Sequence, residues 1–457
     1  MTFLFGFLPA VLVVYFLLPA RCRQGRNIVL LLFSLAFYAW GGIRLLPALL
    51  ASCVLNWAGA LLAAPGKPCR KAAYGIALAL NIAMLGYFKY AGFLVTNLNA
   101  LGADLMIPSI ALPAGISFFT FQAIAYLTDV YRGTIPAERS LGRVTLFMAF
   151  FPQLLQGPIL RYGEFAPALT DRRETVSDAA DGAVRFCFGL GKKVLLADAL
   201  GQIAGGAFSA GDRLTVSLAW LGAIAYTLQL YFDFSGYTDM AIGLGRVFGF
   251  SLPENFDYPY VSKSASEFWR RWHRTLSFWF RDYVYIPLGG NRRGQVRMCM
   301  NILIVWMLTG LWHGAAWNFV LWGLLFAALL LMEKALPGLQ RLPGVLRHGY
   351  VLLAVILSFV LFNADTLSQA GNDFSALFGL AGLPLFTAET GYYLRSYAPA
   401  LVIACIGATP LVRRTAQKWE GNRVLQAAEP ILWLGLLLIC TAYLVDGSFS
   451  PFLYFRF

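Results

Sequence analysis

Long apolar runs separated by short polar or basic stretches dominate this chain. A transmembrane helix needs roughly 20 consecutive, mostly apolar residues, and several runs approach that length, whereas residues 28–42 form a shorter one. The runs lie at residues 3–20, 28–42, 45–64, 72–95, 112–130, 143–160, 183–208, 215–231, 298–313, 315–332, 349–364, 392–411 and 431–446. We predict an all-α polytopic integral membrane protein, a bundle of about 10–12 transmembrane helices with re-entrant and interfacial helices.

Composition supports a membrane environment for the whole chain. Of its 457 residues, 59% are hydrophobic and 13% are charged, and the mean hydropathy is +0.64, whereas a soluble domain is about 25% charged. The basic residues nearest to the apolar run 3–20 follow it, whereas those of a signal peptide precede its apolar run. We therefore interpret residues 3–20 as a retained first helix rather than a signal peptide. We detect no internal repeat, which disfavours a transporter built from inverted repeats. We therefore predict a single transmembrane domain over residues 1–457.

Basic residues indicate the orientation of the helices. They follow the first and third apolar runs and precede the last one, and such loops are expected on the cytoplasmic side. The N-terminus and the tail SFSPFLYFRF (448–457) are then expected on the opposite side. The formal net charge of +13 would suggest nucleic acid in a soluble protein, but here we expect anionic membrane lipids and no nucleic acid. The basic residues concerned are Arg21, Arg23, Arg26, Lys67, Arg70, Lys71, Arg413, Arg414, Lys418 and Arg423.

The segment 263–297 is basic and aromatic. It contains eight basic and two acidic residues, a net charge of 8 − 2 = +6, interleaved with tryptophan, tyrosine and phenylalanine. Such a helix is expected to lie at the cytoplasmic membrane interface. Its charge fits an anionic substrate or lipid headgroups equally well. Its basic residues are Lys263, Arg270, Arg271, Arg274, Arg281, Arg292, Arg293 and Arg297.

Two of the three histidines are candidates for chemistry. His313 lies about 15 residues into an apolar helix that starts near Met298, which is roughly 22 Å at 1.5 Å per residue. An ionisable residue at that depth is a functional candidate, and a buried imidazole favours its neutral, base-competent form. The alternative is a packing histidine, since Gly310 and Gly314 also suit close helix contact. His273, among arginines, fits an ordinary interfacial residue, and we assign His348 no role.

Other polar breaks leave two interpretations open. Asp233, Ser235 and Asp239 in YFDFSGYTDM either line a cavity or mark a helix end, with Asp233 as a cap or as an ion-pair partner of a nearby arginine. The turn PLGGNRRG (287–294) either binds phosphate or is an ordinary turn. The segment FFPQLLQGPILRY (150–162) is either re-entrant or a simple turn. The seven cysteines are scattered without a CxxC motif, so we predict no disulfide framework and no metal site.

Three long motifs resemble the membrane-bound O-acyltransferases, most closely the bacterial branch that acts in alginate O-acetylation. They are YFDFSGYTDMAIG, the stretch from ENFDYPYV to GGNRRG, and LTGLWHGAAWNFVLWG. LGYFKYAGF, GISFFTFQAIAYLTDVYRG, FFPQLLQGPILRY and PFLYFRF extend the resemblance across nearly the whole chain.

The resemblance implies a bundle with funnels from both faces and an O-acetyltransferase of the bacterial inner membrane. His313 would be the catalytic histidine, and His273 the second characteristic histidine on the cytoplasmic side of the tunnel. Further candidates for the donor or substrate tunnel are Asp233, Ser235, Trp269, Arg270, Trp272, Arg274, Arg281, Asn291, Trp312 and Asn318.

The resemblance also implies the substrates and partners. The donor would be acetyl-CoA or an acyl-carrier thioester, with no cofactor required. The acceptor would be a hydroxyl of an exported polysaccharide or of a periplasmic serine-type acetyltransferase. Two alternatives remain open: transfer of D-alanine or another acyl group to a cell-wall polymer, and a non-catalytic acyl channel or lipid transporter.

Overall fold

The computed structural model describes residues 1–419 and 421–446, and within those residues all regular structure is helical. The predicted all-α class is therefore confirmed, while the prediction for the tail 448–457 lies outside the described residues. The α-helices are α1 (Leu8–Leu17), α2 (Arg23–Gly42), α3 (Leu46–Ala63), α4 (Arg70–Leu85), α5 (Ala91–Ala100), α6 (Ile116–Arg132), α7 (Leu141–Ala149), α8 (Tyr162–Thr170), α9 (Val176–Gly191), α10 (Asp198–Phe208), α11 (Val216–Val247), α12 (Ala265–Arg271), α13 (Arg274–Phe280), α14 (Gln295–His313), α15 (Trp317–Ala335), α16 (Gly344–Asn363), α17 (Leu367–Leu377), α18 (Ala388–Gly407), α19 (Leu411–Lys418) and α20 (Arg423–Val445).

Within residues 1–419 and 421–446, six continuous helical segments are long and apolar enough to cross a membrane, which confirms a multi-pass protein. The number becomes seven if α18 and α19, bent by 73° relative to each other, form one span. This is fewer than the 10–12 we predict, because α2 with α3 and α4 with α5 form continuous segments and the remaining apolar runs form shorter or more polar helices. The six segments are Arg23–Ala63, Arg70–Ala100, Gln295–His313, Trp317–Ala335, Gly344–Asn363 and Arg423–Val445.

The chain divides into two compact units. Unit 1 comprises Met1–Phe186 with Ala241–Pro253, and unit 2 comprises Cys187–Met240 with the chain from Glu254 onward. Our prediction of one domain over residues 1–457 stays a prediction.

Unit 1 contains a buried carboxylate with four polar partners. Glu174 accepts a hydrogen bond from the Tyr15 hydroxyl at 2.6 Å and contacts the guanidinium groups of Arg23, Arg26 and Arg172. Two of the basic residues that follow the first apolar run therefore have a structural partner inside the protein. A charge of one sign rarely stays buried without such a partner.

Helices α14 and α15 of unit 2 form a closely packed hairpin. A Cβ atom placed on Gly310 would lie 2.2 Å from the carbonyl oxygen of Phe319, and one on Gly323 would lie 2.2 Å from that of Trp306. Only glycine allows the two helices to approach this closely. Helix α14 ends at His313, since Gly314 adopts an extended conformation (φ −160°, ψ 152°). The hairpin thus places His313 at the bend.

The segment that precedes α14 forms two short helices, α12 and α13. The Ser264 hydroxyl accepts a hydrogen bond from the backbone N–H of Glu267 at 2.9 Å and so caps α12. Glu333, near the end of α15, accepts further bonds from the backbone N–H groups of Ala265 and Ser266. Helix α12 is thereby tied to the hairpin, and His273 lies directly between α12 and α13.

Candidate functional site

His313 lies at the end of α14 inside an aromatic enclosure and is 7% exposed. Its ring centroid is 5.0 Å from that of Trp322 on α15 and 5.3 Å from that of Phe362 on α16, both in edge contact. The imidazole is therefore held by rings from two neighbouring helices. Such a fixed orientation suits a base, because proton transfer depends on geometry before pKa.

Asn318 fixes one wall of this enclosure. Its side-chain amide donates a hydrogen bond to the carbonyl oxygen of Ala364 at 2.7 Å. This bond ties the start of α15 to the end of α16, which carries Phe362. The structure thus gives Asn318, a tunnel candidate in the sequence, a bracing contact beside His313.

His273 is fully buried and has a left-handed backbone conformation (φ 42°, ψ 54°), which is uncommon outside glycine. Its Nδ1 is 3.1 Å from the side-chain oxygen of Asn255. The same oxygen accepts hydrogen bonds from the backbone N–H and the hydroxyl of Thr275, at 3.2 and 2.9 Å. Since that oxygen has no proton to give, Nδ1 donates, and in the neutral ring Nε2 carries the lone pair.

Burial also sets the charge of His273. Removal from water lowers the pKa of His273 to about 3, because desolvation disfavours the imidazolium form. His273 is therefore neutral at physiological pH, with a fixed tautomer.

Trp312 connects the two histidines that the sequence selects. Its ring centroid is 5.7 Å from that of His273 and 4.9 Å from that of His313. The indole is almost fully buried. Residues that are far apart in the chain thus form one continuous cluster, and all three belong to unit 2.

The stretch YFDFSGYTDM meets this cluster through Phe234, whose ring centroid lies 4.7 Å from that of His273. Its acidic residues contact lysines. Asp233 contacts Lys193 at 2.7 Å, and Asp239 contacts Lys192 at 2.7 Å, with Ser235 at 3.4 Å from the same ammonium.

Lys193 also contacts Asp198, at 2.8 Å. The ion-pair alternative for Asp233 thus applies with a lysine, where we expected an arginine. Sequence reasoning missed both lysines, although two adjacent cations in an apolar run are a usable signal.

In the basic and aromatic segment 263–297, tryptophan side chains are buried and several basic side chains are exposed. Trp269 and Trp272 are buried and pack on Trp306 and Phe359, with ring centroids at 4.6 and 5.4 Å. The exposed tunnel candidates in this segment lie on the surface, while Arg274 is half-buried. The exposed candidates are Arg270, Arg281 and Asn291.

Two glycine- or proline-rich segments form turns. Gly289 and Gly290 have φ of 106° and 55°, and the side-chain amide of Asn301 donates to the carbonyl oxygen of Gly290 at 2.9 Å. This internal support fits the interpretation of PLGGNRRG as a structural turn. Residues 150–161 likewise form an irregular connection between α7 and α8.

The described part of the chain contains no candidate metal site. Within residues 1–419 and 421–446, no group of three or more histidine, cysteine or acidic side chains is placed to hold an ion. The seven cysteines are all free.

Comparison with known proteins gives one consistent family. The model of the MBOAT, membrane-bound O-acyltransferase family matches residues 136–364. The chain is 40% identical to a probable alginate O-acetylase of Azotobacter vinelandii, over 100% of this chain and 99% of that protein. It is 36% identical to a peptidoglycan O-acetyltransferase of Helicobacter pylori, over 84% of this chain and 80% of that protein.

A more distant relative covers less of the chain. A teichoic acid D-alanyltransferase of Bacillus subtilis is 30% identical over 54% of this chain and 65% of that protein. The match to the family model and the full-length relatives confirm the resemblance inferred from the motifs. The chain belongs to the membrane-bound O-acyltransferase family and is therefore an O-acyltransferase.

Proposed function

We propose that this protein is a bacterial inner-membrane O-acetyltransferase that transfers acetyl groups from a cytoplasmic thioester to hydroxyl groups of an exported polysaccharide, directly or through a periplasmic serine-type acetyltransferase. The single observation that carries the proposal is the buried cluster His273–Trp312–His313, with ring centroids 5.7 and 4.9 Å apart. The 40% identity to a probable alginate O-acetylase supports acetate and a polysaccharide as the substrates.

The chemistry needs little beyond positioning and one base. A thioester is already activated, so no cofactor is required. In this proposal His313 takes the proton of the acceptor hydroxyl as the oxygen attacks the carbonyl carbon, and then returns it to the departing thiolate. A positioned base contributes roughly 10²–10⁴-fold to such a step, and fixed orientation in the aromatic enclosure adds to it.

The exposed arginines around α12–α14 support an anionic donor. Arg270, Arg281, Arg292 and Arg293 are all exposed, and the segment 263–297 has the net charge of +6 derived above. Acetyl-CoA and an acyl-carrier protein are both anionic, so such a surface would raise their local concentration. The same surface also suits anionic lipid, and the salt dependence of the KM for the donor separates the two roles.

Transfer of D-alanine is a second candidate, favoured by the 30% identity to a teichoic acid D-alanyltransferase. That similarity covers about half of this chain, so we rank acetate first. Mass spectrometry of the exported polymer distinguishes the two, because the acyl groups differ in mass.

The test replaces His313 with alanine in the otherwise intact cell. We expect loss of acyl groups from the exported polymer while the protein remains in the membrane. His348→Ala is the matched control, since its Nδ1 contacts only a backbone oxygen, that of Ser262 at 3.1 Å, in the described structure. Wild-type acylation by H313A would overturn the catalytic role, whereas loss in both variants would indicate a general effect of removing a histidine.

A further inference from the structure

The indole of Trp322 is buried with its donor unused. The residue is 1% exposed, and among the described residues its Nε1–H has no hydrogen-bond acceptor. Leaving a buried donor unsatisfied is energetically unfavourable. Two other indoles of this protein are satisfied: Trp220 donates to the carbonyl oxygen of Leu377 at 2.9 Å, and Trp433 donates to Glu429 at 3.1 Å. An unused donor in a site can be retained for a ligand.

The ring that carries this unused donor lies in contact with His313. Its ring meets the His313 ring edge-on, at 5.0 Å between centroids and an interplanar angle of 83°. It lies four residues after Asn318, on the same face of α15. Trp269, whose Nε1–H also lacks an acceptor among the described residues, packs on Trp322 at 5.7 Å and so lies one ring further from His313.

Packing alone explains the ring of Trp322 but not its N–H group. Phe326 and Phe362 pack on it at 5.3 and 5.1 Å, and a phenylalanine ring at position 322 would meet the same surfaces. An apolar wall would therefore avoid the cost of the unsatisfied donor. The donor is best explained by a hydrogen bond that forms only when substrate is present.

We propose that Trp322 is a further catalytic residue, whose Nε1–H donates a hydrogen bond to the carbonyl oxygen of the acyl donor beside His313. The inference rests on the proposed function. As the acceptor hydroxyl attacks and His313 takes its proton, the carbonyl oxygen gains negative charge and the bond from Trp322 strengthens. When the tetrahedral intermediate collapses, the carbon–sulfur bond breaks and the thiolate takes the proton back from His313. The products are the ester and the free thiol.

The test compares Trp322→Phe with Trp306→Phe in the purified full-length protein. Both changes remove an indole N–H from the same aromatic cluster, but Trp306 packs on Trp269 and Phe326 rather than on His313. Removing one donor from an oxyanion site lowers kcat by roughly 10²–10³-fold in a well-studied protease. We expect kcat for acetyl transfer to fall about 10- to 100-fold in W322F, with a small change in KM, and to stay within about twofold of wild type in W306F.

A binding measurement separates this role from a structural one. Acetonyldethio-CoA, in which a methylene replaces the thioester sulfur, keeps the carbonyl in place in an untransferable form, whereas S-ethyl-CoA lacks the carbonyl. Wild type should bind acetonyldethio-CoA more tightly than S-ethyl-CoA, and W322F should lose that preference while binding S-ethyl-CoA as wild type does.

Equal kcat values for W322F and wild type, or an unchanged preference, would overturn the role of Trp322. If H313A also transferred acetyl groups normally, the proposed function itself would fail. If H313A loses acetyl transfer while W322F keeps wild-type activity, only the proposed role of Trp322 is overturned.

Discussion

The side-chain oxygen of Asn255 lies 3.1 Å from Nδ1 of His273 and holds the imidazole in one tautomer. The same oxygen accepts two bonds from Thr275, so rotating it away would break three hydrogen bonds. Asn255 is therefore a positioning residue, which acts through His273.

Replacing Asn255 with leucine keeps the volume and removes the acceptor. We expect a large loss of stability, because each buried donor left without a partner costs roughly 1–3 kcal/mol. The Tm of the detergent-purified protein measures it. Asn255→Asp is the control that keeps an acceptor oxygen, and it should remain folded while the pKa of His273 rises beside the new carboxylate. A wild-type Tm for N255L would show that the bond is not needed.

Stability should depend on pH through His273. Its pKa is lowered from 6.5 to about 3 by burial, so between those values the unfolded chain binds a proton that the folded protein does not. The free energy of unfolding should therefore fall as pH drops below about 6.5, by up to about 1.4 kcal/mol per pH unit from this group, and be unaffected by it above that pH. Tm recorded from pH 8 to pH 4 measures the slope. His273→Gln should reduce the slope, and an identical slope in that variant contradicts the assignment.

Glu333 should position α12 and, through it, the segment that carries His273. Its carboxylate accepts bonds from the N–H groups of Ala265 and Ser266 and from the Ser266 hydroxyl at 3.1 Å. Losing a helix cap costs roughly 0.5–2 kcal/mol, so Glu333→Ala should lower Tm and weaken acyl transfer. Glu389→Ala is the matched control, since Glu389 pairs with the exposed Arg213 and surface pairs contribute little. Equal effects of the two variants would argue against a positioning role.

The lysine of the buried ion cluster should matter more than either of its partners. Lys193 contacts both Asp233 and Asp198, at 2.7 and 2.8 Å. Lys193→Met removes the cation from two buried carboxylates, and breaking a buried pair costs roughly 3–5 kcal/mol. Asp233→Asn should be milder, because Lys193 keeps Asp198 and the new amide oxygen still accepts a bond. Membrane accumulation and Tm should thus fall more in K193M, and the reverse order would show that the cluster is organised differently.

The sequence identifies candidate residues, but not their contacts with residues of other elements. The depth of His313 in an apolar helix predicts a functional residue, and the family motifs identify both histidines. The bond from Asn255 to His273 and the contact of Trp322 with His313 join different elements, and neither periodicity nor spacing reports on such pairs. The same holds for Trp269 and Trp272, which we expected at the interface because they alternate with arginines. In the structure their rings pack inward and the arginines remain near the surface.

The close approach of α14 and α15 should set the position of His313. A Cβ atom on Gly310 would lie 2.2 Å from the carbonyl oxygen of Phe319, so Gly310→Ala must push the helices apart one turn before His313. Overpacking of this kind costs roughly 1–3 kcal/mol. We expect lower Tm and reduced acyl transfer by whatever protein still accumulates, because the imidazole shifts relative to Trp322. Gly435→Ala is the matched control: this helical glycine in α20 has open space where a Cβ would lie, and the change should leave stability equal or slightly higher. If G310A matched G435A in both Tm and transfer, the glycine contact would not be what orients His313.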